Sequence, residues 1–216
     1  MAPVLQRRSP HAVLLLALFL VVSACGGGSK HNSSPPVTTP QVLAIKTSVL
    51  KVGKVDVESA GPPNVQIDTA TGKAVLAAAQ RYIDSAVFAP LKAGTIGAGY
   101  GALFAPAVKA VANGADRRAL TDLDVGKATS VTTKATPVEL SALAGSVGEL
   151  MYVATDFGLT VKGTGASGKF TMTRHVELTF ATTGKSWLVT AYRVSSVRTS
   201  AAGTTTTTAS LGTTKP

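Results

Sequence analysis

Between Phe170 and Phe180 the chain alternates strictly. Phe170, Met172, Val176, Leu178 and Phe180 hold one parity, and Thr171, Thr173, His175, Glu177 and Thr179 hold the other. A period of two places the two sets on opposite faces of a strand, so the segment predicts a half-covered strand of an antiparallel sheet. A Gly- and Ser-containing turn at residues 163–168 precedes it. Thr182-Thr183-Gly184-Lys185 then turns the chain into a further strand over Trp187–Val197. Upstream, Leu150–Val161 and Val131–Ala142 predict two more strands, the second weakened by Pro137, which cannot donate to a ladder. Arg174 occupies the apolar parity, where a charge needs a partner or water. It is a candidate anion-binding group, against which stand a bulge, an edge position, or pairing with a carboxylate such as Asp84 or Asp156.

Ahead of the strands the period is helical. Val75, Ala79, Tyr82, Ile83, Ala86 and Val87 recur at helix spacing behind Asp68 and Thr69, either of which can cap. Such a helix is expected to stop near Ala89-Pro90, because a residue before proline disfavours helical angles. A glycine-rich connection (Gly94, Gly97, Gly99, Gly101) leads to a shorter helix over Leu103–Ala112 and a further turn through Leu120. The expected fold class is therefore α+β, with N-terminal helices packed on a curved antiparallel sheet of about four strands. Residues 41–68 read as an extended lead-in with at most one strand. Residues 199–216 carry Thr204–Thr208 and almost no large apolar side chain, so they read as a disordered threonine-rich tail.

The N-terminus carries an address. Arg7 and Arg8 precede the apolar run Val13–Val22, which is shorter than the roughly 20 residues of a membrane span. Val22-Ser23-Ala24-Cys25 resembles the lipobox of bacterial lipoproteins. The resemblance implies cleavage between Ala24 and Cys25 and lipidation of Cys25, with 1–24 a signal peptide and 25–40 a Gly/Ser/Pro/Thr-rich tether. It also implies fatty acylation and attachment to the extracytoplasmic side of the cell membrane.

Cys25 is the single cysteine of the chain, so its acylation would leave no thiol for a disulfide, a nucleophile or a thiolate metal site. The fold must stand on its apolar core. Loss of 24 residues that include two arginines would lower the formal charge from +10 to +8. Anionic lipid headgroups, wall polymers or an envelope protein are the expected partners of such a module. Nucleic acid is not an expected partner, because the basic residues are scattered and form no stripe with aromatics.

A second resemblance covers residues 69–198. Gln80-Arg81-Tyr82-Ile83-Asp84 with Ala89-Pro90-Leu91, then Leu103-Phe104-Ala105-Pro106, Asp116-Arg117-Arg118-Ala119-Leu120 and Gly184-Lys185-Ser186-Trp187-Leu188-Val189 look similar to actinobacterial lipoproteins with an NTF2-like (cystatin-like cone) domain. That superfamily includes isomerases, dehydratases, ligand carriers and structural modules, so fold alone does not assign an activity. Arg174, Tyr82 and Tyr152 are the candidate ligand-binding residues. An isomerase-like site would draw on Asp84, Asp156, Tyr82, Tyr152 and Tyr192, a carboxylate base with tyrosine hydroxyls. No motif places them residue by residue, and no catalytic residue, cofactor or metal ligand is assigned. His175 is expected to be a solvated histidine beside Glu177, and His31 lies in the tether. Gly184-Lys185-Ser186 lacks the first glycine of a phosphate loop, and Asp156-Phe157-Gly158 stands without the other kinase motifs. The expected function is a non-enzymatic binding or scaffold module held at the membrane, with a small isomerase or dehydratase, or a lipid carrier, as the alternatives.

Overall fold

A computed structural model describes residues 49–212; the signal, lipobox and tether, Ala24 and Cys25 among them, lie outside the described residues. Strand β1 (Val52–Ser59) is followed by helix α1 (Thr69–Ile83), α2 (Ala89–Ala93), α3 (Pro106–Asn113) and α4 (Arg117–Leu120). Six strands complete the chain: β2 (Ser130–Ala135), β3 (Val138–Ala144), β4 (Leu150–Gly165), β5 (Gly168–Thr183), β6 (Ser186–Ser200) and β7 (Gly203–Leu211). All belong to one seven-stranded mixed sheet of order β1-β3-β4-β5-β6-β7, with β2 also paired to β4.

This corrects the expected fold class. The protein is dominated by a long mixed sheet with one main helix, in place of several helices on a four-stranded antiparallel cone. Three local causes account for the difference. Pro137 splits the expected 131–142 strand in two, both halves lying antiparallel to β4. At the break the Gly158 N–H is taken by the Thr136 hydroxyl at 2.8 Å instead of by a ladder carbonyl. Second, the lead-in supplies β1, which pairs parallel to β3 and makes the sheet mixed.

Third, the threonine-rich stretch forms β7, antiparallel to β6 from Ser200–Gly203 to Tyr192–Leu211. Threonine is β-branched and suits a half-covered strand, so ladder bonds and the buried Ala209 substitute for large apolar side chains. Terminating the chain after Ala202 is expected to lower stability by about 2–3 kcal/mol, or about 5–10 °C in Tm. Scanning calorimetry checks this; a truly disordered tail could be removed with no change in Tm.

Helix α1 starts where the spacing predicts. The Asp68 carboxylate accepts from the Thr71 N–H at 2.8 Å, and Val75, Ala78, Ala79, Tyr82 and Ile83 are buried. It does not stop before Pro90. A π-helical turn over Asp84–Phe88 passes directly into α2, which ends at Gly94 in the left-handed region (φ 73°). Proline has no N–H to return to the Ala86 carbonyl four residues back. That carbonyl instead accepts from the Asp122 backbone N–H at 2.9 Å. A proline that reads as a stop thus becomes a docking point for a distant segment.

On the sheet, Phe170, Met172, Arg174, Val176, Leu178 and Phe180 face the core as the alternation predicts. A bulge between Thr179 and Phe180 inserts Thr190 in β6, so that Val189 and then Tyr192 and Val194 all reach the covered face.

Candidate functional site

Arg174 is 1% exposed and is the largest of the fully buried side chains among the described residues. Its partner is Asp122, which corrects the carboxylates expected from the sequence. Asp84 instead accepts from the Gln80 side chain at 3.1 Å, and Asp156 meets His175. Nη2 of Arg174 donates to Asp122 Oδ1, while Nη1 reaches the Ala119 and Leu120 carbonyls at 3.3 and 3.2 Å and the Tyr82 hydroxyl at 3.4 Å. The Tyr82 hydroxyl donates to the Leu120 carbonyl at 2.7 Å. Helix α1, the end of α4 and strand β5 thereby converge on one guanidinium.

Electrostatics follow from the burial. Desolvation pushes the Asp122 carboxyl up, against the pull of the adjacent Arg174. Burial works to lower Arg174, and Asp122 and Tyr82 outweigh it to hold the guanidinium above its ordinary value. Tyr82, wholly enclosed, is pushed up to about 12 by desolvation. Two polar atoms of the knot, Asp122 Oδ2 and Arg174 Nε, have no protein partner. Asp122 also lines a cleft of about 20 Å³ with Arg118, Arg198, Thr205 and Thr207, which is room for about one water.

The candidate residues do not form one site. Tyr82 and Arg174 meet, but Tyr152 is exposed on β4, at the parity opposite to the covered Val153 and Thr155. Tyr192 is spent elsewhere, its hydroxyl donating to Asp116 Oδ2 at 2.7 Å and tying the start of α4 to β6. Burial, and then Asp116, push the ionisation of its hydroxyl to higher pH.

A second cluster lies on the opposite, solvent-facing side of the sheet. Asp156 on β4 stands directly across from Glu177 on β5, and His175 lies two residues before Glu177 on the same face. His175 Nε2 is 2.7 Å from Asp156 Oδ1, and Nδ1 is 3.9 Å from Glu177 Oε1. Alternation alone pairs His175 with Glu177; Asp156 joins them only through the β4–β5 register. Asp122 carried no local signal, since the contacts that hold it, to Arg174 and to the Ala86 carbonyl, come from segments distant in sequence.

No family model matches the chain, nor does any curated protein or solved structure. No helix among the described residues is long and apolar enough to cross a membrane.

Proposed function

We propose that the chain is a lipid-anchored envelope protein on the outer face of the cytoplasmic membrane, whose folded module binds a partner instead of catalysing a reaction. The observation that carries the binding reading is the state of Arg174. The one charge that alternation directs into the core is neutralised by Asp122, Tyr82 and two backbone carbonyls, so it acts as a strut and presents no free guanidinium to a substrate. The cleft beside it has room for about one water. Asp116, the carboxylate that a tyrosine hydroxyl reaches, is committed to Tyr192. Recognition then falls to the outer sheet face, the sheet margins and the basic charge. The anchoring reading is supported by Arg7-Arg8, the short apolar run and Val22-Ser23-Ala24-Cys25. A multiply acylated cysteine anchors stably where a single chain does not.

Cys25→Ala tests the anchor. Fractionation and intact-mass measurement of the full chain expressed in a bacterium are expected to show an unlipidated protein, accumulating as uncut precursor or released from the membrane. Normal signal removal with unchanged membrane retention would overturn the reading. Residual association of a released variant is expected to be electrostatic and to wash off at high salt.

A further inference from the structure

We infer that Asp156, His175 and Glu177 form a binding site for a divalent transition-metal cation, with zinc the best fit. One ligating atom from each of the three lies within 4.8 Å of the other two. Donors around one ion at bond lengths of about 2.0–2.2 Å stand about 3–3.5 Å apart. The His175 contacts use different imidazole nitrogens, Nε2 for Asp156 at 2.7 Å and Nδ1 for Glu177 at 3.9 Å, and one ion takes only one of them; binding through Nε2 therefore needs the Asp156 contact to open slightly and the Glu177 carboxylate to swing towards Nε2. Both adjustments are side-chain rotations. The backbone beneath is already set, because the β4–β5 register runs unbroken from Val153–Phe180 to Gly165–Gly168. Ligands on a continuous ladder are held more tightly in place than ligands on a loop.

The surroundings favour a cation. Glu139 on β3 stands directly opposite Asp156, and Asp156 stands directly opposite Glu177, so three carboxylates form a row across three strands. Like charges directly opposite one another destabilise a sheet. A basic group caps the row at each end and leaves Asp156 between them: Lys54, paired with Asp56 at 2.6 Å, stands opposite Glu139 on β1, and Arg193 meets Glu177 from the far side at 3.6 Å. A divalent ion between Asp156 and Glu177 offsets the repulsion. Opposite His175 the β4 residue is Gly158, so no side chain covers the imidazole from that strand. Asp156 and His175 are each 48% exposed and Glu177 30%, which gives the ion an entry path and leaves water in its remaining positions. One imidazole with two carboxylates is a borderline donor set that suits zinc, where calcium and magnesium prefer oxygen alone.

Calorimetric titration of the full chain, purified without a histidine tag, with zinc chloride alone tests the site. One ion per chain is expected to bind. His175→Ala and Asp156→Asn are each expected to weaken binding by about a hundredfold or more, since loss of even an outer-shell group costs about 10–100-fold. His31→Ala, a change outside the described residues, is expected to leave it intact. These half-exposed side chains carry no core packing, so an unchanged Tm of the metal-free variants keeps the comparison clean. Absence of stoichiometric binding at about 1 mM zinc, or equal affinity in the wild type and His175→Ala, overturns the inference.

Discussion

Asp122→Ala is expected to destabilise the fold by about 3–5 kcal/mol, because it strands the Arg174 guanidinium in a water-poor interior. Arg174→Met is expected to cost a similar amount by the converse route, leaving the Asp122 carboxylate buried without its cation. The double variant Asp122→Leu/Arg174→Met removes both charges and is expected to cost less than either single variant, so the two effects fall short of additivity by at least about 3 kcal/mol. The expectation rests on the geometry: side chains 1% and 5% exposed, in direct contact, with two helix-end carbonyls accepting from the guanidinium's Nη1. Denaturant unfolding of the three variants measures it. If both single variants cost under about 1 kcal/mol and their effects add, the pair is hydrated, and Arg174 returns as a candidate ligand-binding group.

Alkaline pH is expected to unfold the protein in a window set by its buried tyrosines. Tyr82, Tyr100 and Tyr192 are all buried, and their ionisation is pushed to higher pH, chiefly by desolvation. The folded state therefore holds these phenolic protons more tightly than the unfolded chain, which releases them near pH 10. Their contribution is whole below about pH 10 and is lost as the pH climbs through the raised values. For Tyr82, at about 12, the loss by pH 12 is about 2 kcal/mol. Two further tyrosines shift in the same direction, so global unfolding is expected between about pH 10 and 12. The check is absorbance near 295 nm alongside far-UV circular dichroism. Phenolate from these three residues should appear together with the loss of structure, and Tyr82→Phe should move the midpoint upward while losing the hydrogen bond to Leu120. Smooth ionisation of all the tyrosines with the fold intact would contradict the expectation.

Legibility from the sequence followed the range of the interaction. Asp68 as the cap of α1, the covered parity of β5 and the hairpin turns on either side of it depend on residues a few positions apart, and all appear in the structure. Pro90 and the threonine run misled for the same reason in opposite senses. Local rules scored each by what it cannot do alone, whereas a π turn with a borrowed Asp122 N–H accommodates the proline and a ladder to β6 orders the threonines. The resemblance to a cone fold rested on short patterns that constrain helices and turns and leave strand order open.

Both clusters divide along the same line. Alternation by itself established that Arg174 points into the core and that His175 and Glu177 share the outer face, because side-chain direction on a strand is fixed by parity. It could not choose Asp122 over Asp84 or Asp156 for the arginine, nor bring Asp156 to the histidine. Those pairings span 52 and 19 residues and exist only once strand register and helix docking are set. The sequence alone determined which side chains of β5 face inward; the tertiary structure decided who meets whom, because contacts between distant segments are selected by the packing of the whole sheet.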